Sequence, residues 1–532
     1  MTKLRVECLT DPIWNQAGIS IPQFHIAQIR EHTSNNPRWI HFGGGNIFRA
    51  YIADLQQKLL EKGDAETGII VAENYDPEII ERIYRPFDNL TLAVRMGSSG
   101  EMDKNVIASV TEALHCDTEN QNDWNRIKEI FTAKSLQMCS FTITEKGYVL
   151  KEADLKSDPE KPRHLMAQVT ALLLERYRAG GWPLAVVSMD NCSCNGKLLH
   201  DAVLHIAREW QSRGYVPDAF LQYLENPDRI SFPWSMIDKI TPRPSESIRE
   251  MIEEDGIEDM DAICTQQGTY IAPFVNTEKA EYLVIEDSFP AGRPNLEQCG
   301  VIFTDRDTVQ KVERMKVMTC LNPLHTALAI FGCLLGYQSI ADEMADDDLL
   351  TLVNMIGYEE GMPAVTDPGI IKPEDFLSEV LTERFPNPNI PDTPQRIATD
   401  TSQKMPVRFG ETLKAYWTNE TLEIGSLLLI PLVIAAWIRY LMGIDDSGQP
   451  MALSSDPLLE ELQGYVEGIS LGNPDSLTGQ LKDLLCRKDL FGVDLYEAGL
   501  GSKIEEMLRE MIAGPDAVRK TLQRYLQEKE KQ

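Results

Sequence analysis

The stretch ERMKVMTCLNPLH, from Glu313 to His325, carries three side chains able to handle a carbonyl or a hydroxyl. Lys316 offers an amine that can exchange a proton. Asn322 and His325 lie three residues apart, so on a helix they share a face. An amide and an imidazole there could hold a substrate oxygen while the amine gives or takes its proton. With a nicotinamide beside it, this set suits redox between an alcohol and its carbonyl. The same spacing also fits a core-facing helix with a satisfied histidine, so the pattern needs a coenzyme site to give it direction.

The stretch RWIHFGGGNIFRAYIADLQQKLLEKG, from Arg38, suggests one. A short apolar strand runs into a glycine turn. A helix follows, with Ile47, Tyr51, Leu55 and Leu59 at helical spacing, and Gly63 stands where a C-cap belongs. Small residues are needed where backbone approaches phosphate, and a helix start supplies N–H groups and a positive dipole. Gly43 and Gly45 meet that need, and Asn46 completes the turn. In G-x-G-x-x-G terms Phe48 takes the place of the third glycine, and Arg49 beside it could meet a phosphate. A second strand, TGIIVAEN, ends at Glu73, 28 residues after Gly45. A carboxylate there would bind a ribose 2′-OH and repel a 2′-phosphate, which favours NAD over NADP. It also fits a solvated charge at a strand end.

Three further stretches carry polar groups. SMDNCSCNG, Ser188 to Gly196, follows an apolar strand and puts Asp190 and Asn191 at the carboxyl edge of a sheet, where α/β proteins hold ligands. It reads equally as an Asx turn before a helix. Arg396 and Lys404, in RIATDTSQKMP, could clamp a carboxylate or polyhydroxy substrate, or could be surface charges. FPWSMIDKITP reads as turn-rich and contains Asp238 and Lys239, to which spacing alone assigns nothing.

These residues need elements to position them. SLQMCSFTITEKGY and PLAVVSMDN are further strands. HLMAQVTALLLERYRAGG and GKLLHDAVLHIAREWQSRG are helices beside the second of these. Alternation of this kind predicts an α/β domain with a parallel, doubly wound sheet over residues 1–303. Beyond Thr304 strand candidates fade, and a mostly α-helical domain is expected over 304–532. LLLIPLVIAAWI, Leu427 to Ile438, is 12 residues long with Pro431 inside it. A membrane span needs about 20, so a buried helix is expected.

Composition narrows the function classes. The 532 residues carry a net charge of −31 and no basic run, which argues against nucleic acid and anionic membranes as partners. Ten cysteines without a C-x-x-C pair, and an N-terminus without an apolar h-region, suggest reduced thiols in the cytoplasm. H-E-x-x-H, the P-loop and Cys/His clusters with metal spacing are all missing, so no metal is called for.

Taken in order, the stretches resemble the polyol-specific long-chain dehydrogenases, the mannitol dehydrogenase family, and are nearest its fructuronate reductase branch. HFGGGNIFRA is similar to that family's G-x-G-x-F-x-R-A turn, in which phenylalanine replaces the third glycine. FTITEKGY, with Lys146, is similar to T-x-T-E-x-G-Y, and SMDNCSCNG to S-x-D-N-x-x-x-N-G. FPWSMIDKITP and RFPNPNIPDTPQRIATDTSQKMP follow further family patterns. The resemblance implies a Rossmann-type domain and a helical domain with the active site between them, and metal-independent, NAD(P)-dependent redox of a sugar acid or polyol. It implies Lys316 as general acid/base, with Asn322 and His325 polarising the reacting oxygen. Asn191 would lie near the nicotinamide, and Arg396 and Lys404 would bind the far end of the substrate. Asp238 and Lys239 join the substrate set through their motif, Asp190 and Asn46 the coenzyme set. A small-molecule substrate is the one partner implied, and the chain could be a monomer or a homo-oligomer.

The resemblance leaves three functions open. They are D-mannonate/D-fructuronate redox, a mannitol-type polyol dehydrogenase, and an NAD-binding homologue with impaired catalysis. The last arises because Lys316 stands six residues before Asn322, where the family has five. One extra helical residue turns a side chain by about 100°. A π-bulge within Val317–Leu321 would absorb it. Pro323 is a second departure, and it predicts a helix restart with Asn322 near the N-cap.

Overall fold

The computed structural model describes residues 1–531, in two compact units that divide between Gln310 and Lys311. The N-terminal unit is built on six parallel strands: β1 (Trp39–Phe42), β2 (Ile69–Glu73), β3 (Val110–His115), β4 (Met138–Phe141), β5 (Leu184–Ser188) and β6 (Ile230–Ser231). Their order across the sheet is β3-β2-β1-β4-β5-β6. Winding reverses between β1 and β4, and the ends of such strands leave a crevice there.

The central strands are apolar because both faces are covered. Ile40, Phe42, Ile70, Ala72, Leu184 and Val186 face one core, while Trp39, Ile69, Val71, Ala185 and Val187 face the other. Helices α1 (Ala53–Lys62), α2 (Gln121–Thr132), α3 (Leu165–Arg178) and α4 (Asn195–Ser212) pack on these faces. Gly63 ends α1 at φ 77°, its N–H reaching the carbonyls of Leu59 and Leu60, as the spacing predicted.

Several strands were invisible in the sequence. Thr91–Met96 and Met102–Ile107 form an antiparallel hairpin, and Phe274–Glu278 adds to it in parallel. Ser235–Asp238 is a strand paired with Tyr282–Glu286, not the turn-rich stretch read from its prolines. All ten cysteines are free thiols.

The C-terminal unit is helical, and beyond Thr304 the described residues form only isolated bridges. Two helices are almost wholly buried, α5 (Asn322–Leu335) and α6 (Leu429–Leu441). The second contains all but the first two residues of the apolar run noted above. Its first N–H groups, on Leu428, Leu429 and Ile430, donate to the carboxylate of buried Glu360 at 2.7–2.9 Å. That side chain answers the unpaired donors every helix start exposes. One helical run, Arg306–Leu335, is long and apolar enough to cross a membrane by composition, but 78% of its most apolar window is buried inside the fold.

Candidate functional site

The chain offers two sets of functional groups, one in each unit. In the N-terminal unit a cleft of about 560 Å³ opens at the reversal point. Its walls include Gly43, Gly45, Glu73, Thr142, Thr144 and Lys146. Gly43 holds φ at 102°, and a Cβ there would lie 2.2 Å from the Thr142 carbonyl oxygen. Gly45 is the reverse case, since a Cβ there would meet nothing within 4 Å. The turn is therefore tight against the sheet on one side and open to the cleft on the other. Those are the features a bound pyrophosphate requires, and the residues present fit a dinucleotide.

Glu73 buttresses this turn. Its Oε2 accepts from the Gly44 N–H at 2.7 Å, and Oε1 accepts from the N–H groups of Tyr75 and Asp76. Burial raises its pKa, and these three donors oppose the rise. A carboxylate has about four acceptor positions, so one is left for a ribose hydroxyl.

Three expectations for this cleft are corrected. Arg49 does not face a phosphate. It is fully buried, with Nη2 donating to the Pro273 carbonyl at 3.0 Å and Nη1 to Asn46 Oδ1 at 3.4 Å. It lies in a π-helical turn, Phe48–Ile52, whose side chains are turned inward. Phe48 is likewise core, stacked on His41 at 4.2 Å between ring centres. A phenylalanine here fills the space between helix and sheet that a third glycine would close. Asp190 does not offer its carboxylate to coenzyme. It accepts from the N–H groups of Ile143 and Thr144 at 3.1 and 2.7 Å and from the Tyr148 hydroxyl at 2.5 Å. It thereby pins the turn after β4, where Thr144 is held at φ 65°. Asn191, the next residue, is exposed.

Asp238 and Lys239 also differ from expectation. Both are buried in the N-terminal unit. The Lys239 ammonium is inaccessible, donating to the Glu278 carbonyl at 2.6 Å and pairing with Glu281 at 3.1 Å. A lysine buried and paired in this way is not available to a substrate. Asp238 ends the strand Ser235–Asp238.

In the C-terminal unit the predicted distortion is present. Lys316–Cys320 is π-helical, and the Leu321 N–H reaches back five residues to the Lys316 carbonyl at 3.0 Å. A new helix then begins at Asn322 with Pro323 in its first turn. The two departures have one cause. Proline brings no N–H, the helix restarts, and the extra residue is taken up just before it. The Thr412 hydroxyl donates to the Met318 carbonyl at 3.2 Å, satisfying backbone within the bulge. Lys316 ends 3% exposed, while its neighbour Val317 is only half-buried.

His325 lies in the first turn of α5. Its Nε2 is buried without a hydrogen-bond partner, 3.4 Å from Asp392 Oδ2 and with the Phe385 ring 5.1 Å away. Burial, and then the charges of Arg408, Arg396, Arg384 and Lys404, hold its pKa well below the usual value. The ring is therefore neutral, and the 3.4 Å approach to Asp392 is not an ion pair. A neutral imidazole with an unmet nitrogen can hydrogen-bond a substrate oxygen.

The cations around it are placed by separate segments. Arg396 pairs with Asp392. Lys404 donates to the carbonyls of Ile397 and Thr399, and burial and Arg408 bring its pKa down to about 8. Arg408 donates to the Asn322 carbonyl and the Thr326 hydroxyl, which fixes the start of α5, and burial lowers its pKa to about 10. Arg396 and Lys404 were expected here. Arg384, Asp392 and Arg408 were missed as functional groups, although Arg408 stands one helical turn after Lys404 and the other two lie in a stretch already singled out.

A doubly wound sheet in this order, with a glycine turn at its reversal point and a helical unit bearing lysine, asparagine and histidine, is the organisation of a dehydrogenase. The comparisons agree. Residues 37–298 match the mannitol dehydrogenase Rossmann domain and residues 308–512 the mannitol dehydrogenase C-terminal domain. The D-mannonate oxidoreductase of Thermotoga maritima is 54% identical over 522 residues, 96% of either chain. The D-mannonate oxidoreductase of Escherichia coli is 29% identical over 449 residues, 81% of this chain and 85% of that one. The solved Pseudomonas fluorescens mannitol 2-dehydrogenase, in a ternary complex with NAD and D-mannitol, shares the fold with a TM-score of 0.69 at 24% identity, covering 96% of this chain and 97% of that one. The chain belongs to the mannitol dehydrogenase family. It is an enzyme, a dehydrogenase.

Proposed function

We propose that the chain interconverts D-mannonate and D-fructuronate with NAD as hydride carrier, without a metal. Coenzyme binding is assigned to residues 1–303, and substrate binding and proton transfer to 304–532. The observation that carries the choice of substrate is the pair Lys404 and Arg408, half-buried or deeper near His325, whose hydrogen bonds go to carbonyl and hydroxyl oxygens and not to carboxylates, in a chain of net charge −31. A carboxylate substrate gives these two side chains a counter-charge, whereas a neutral polyol does not. The names of the two D-mannonate oxidoreductases point the same way.

When bound, NAD would accept the carbinol hydrogen as hydride. In that direction Lys316 takes the hydroxyl proton, and in reduction it returns the proton to the carbonyl oxygen. Asn322 and the neutral His325 hold that oxygen, and Asn191 helps orient it. Arg396 and Lys404 anchor the carboxylate. The π segment at Lys316 supports a working lysine over an impaired homologue. Among the described residues there is no group of three His, Cys, Asp or Glu side chains that could hold a metal. NAD is favoured over NADP because Glu73, Asp117 and Glu119 line the cleft there and would repel a 2′-phosphate, against one arginine, Arg163, which already lies 3.8 Å from Glu119.

Assays with D-mannonate and D-mannitol, each with NAD and NADP, test the reading. The expected result is turnover of D-mannonate with NAD, and no rate above background with D-mannonate overturns it. The depressed pKa of Lys404 adds a pH signature. It carries its charge below about pH 8 and loses it above. For the sugar acid, kcat/KM should therefore fall as pH rises through that value, mainly through KM. In Lys404→Met the value should be low throughout and that step absent.

A further inference from the structure

We propose that Lys146 is the cation that neutralises the pyrophosphate of the bound coenzyme. This rests on reading the cleft at the sheet's reversal point as a dinucleotide site. A pyrophosphate brings two negative charges to a chain whose net charge is already −31. Backbone N–H groups and a helix start supply only partial charges, so a full positive charge nearby has a large effect. Arg49, the cation nearest the glycine turn in sequence, is fully buried and hydrogen-bonded inside the fold.

Lys146 lines the same cleft as Gly43 and Gly45 and is exposed. Of the side chains that wall this cleft, no other is a lysine or an arginine, and Glu73 is a carboxylate. Other lysines of this unit, such as Lys58, Lys104 and Lys279, are paired with acids. The Lys146 ammonium has no hydrogen-bond or ion-pair partner among the described residues. Unpaired lysines are common on surfaces, but this one sits where an anion is required.

The local backbone explains how it gets there. Lys146 belongs to the short turn Glu145–Tyr148 that follows Thr144, and Thr144 has a φ of 65°. A β-branched residue holds such a conformation only when its surroundings impose it. Asp190 does so by accepting both the Ile143 and Thr144 N–H groups, and the Tyr148 hydroxyl binds the same carboxylate from the far end of the turn. Asp190 is thus a positioning residue that fixes the turn and presents Lys146 to the cleft.

The test is NADH binding to the full chain without sugar, followed by nicotinamide fluorescence. Lys146→Met should raise the NADH Kd about tenfold at low salt, and added NaCl should weaken the parent more than the variant. Lys146→Arg should restore most of the affinity. ADP-ribose, which keeps the pyrophosphate and lacks nicotinamide, should lose the same factor in competition. The side chain is exposed, so the thermal midpoint should not move. Parent-like Kd values for NADH and ADP-ribose in Lys146→Met overturn the proposal, as does a variant whose only change is a higher KM for the sugar acid. A parent chain that binds no NADH removes the dinucleotide reading, and this inference with it.

Discussion

Lys316→Met should lower kcat by about a thousandfold, within the range by which a positioned acid/base accelerates proton transfer. The chemistry demands it. Removing hydride from a carbinol carbon leaves positive charge on the hydroxyl group, and that proton must go to a base as the hydride leaves. Under the proposed mechanism no other side chain takes it, because the neutral His325 serves as a hydrogen-bonding partner of the oxygen. Methionine matches the length of the lysine stem, and Lys316 is 3% exposed, so the site stays filled by an apolar chain of similar size. The variant should fold and bind NADH with parent affinity, since the coenzyme cradle belongs to the other unit. Stopped-flow measurement of single-turnover NADH formation with D-mannonate, beside an NADH titration, checks both halves. A variant that keeps more than about a tenth of parent kcat removes Lys316 from the proton path.

The second large effect separates two glycines two residues apart. Gly43→Ala should damage the fold. The new methyl would lie 2.2 Å from the Thr142 carbonyl oxygen at a φ of 102°, and steric crowding plus backbone strain together cost roughly 3 kcal/mol or more. Gly45→Val should leave the fold intact, because nothing stands within 4 Å of the added carbon. It should instead place its side chain where phosphate approaches backbone. Losing one or two charge-assisted hydrogen bonds there corresponds to a rise in NADH Kd of about a hundredfold. Thermal unfolding and NADH titration of both variants make the comparison. Equal loss of stability in the two would mean that Gly45 serves packing, not coenzyme.

Much of this is legible in the amino-acid sequence. Arg38 to Gly63 displays a strand, a turn and a helix in local patterns, and residues near in sequence decide those patterns. The distortion at Lys316 followed from the resemblance, because the lysine stands one residue farther from Asn322 than in the family pattern, and a proline just beyond leaves few ways to absorb the extra residue. The short strand Ile230–Ser231 and the hairpin at Thr91–Ile107 escaped, because such strands owe their existence to neighbours far away in the chain.

The site divides along the same line. Residue types and offsets named Lys316, Asn322, His325, Arg396 and Lys404, and they could not say which charges were already paired. Lys239 and Arg49 look like ligands in a string of letters and are interior groups in the fold, their charges answered by Glu281 in one case and by carbonyl and amide oxygens in the other. Arg408 looks like one more surface arginine, yet it fixes the first turn of α5. The amino-acid order alone determined the class of fold and the chemistry on hand, because periodicity and glycine geometry act over a few residues. Only the tertiary structure decided which groups are available to act, because burial and charge pairing depend on partners that the chain brings together from tens or hundreds of residues apart.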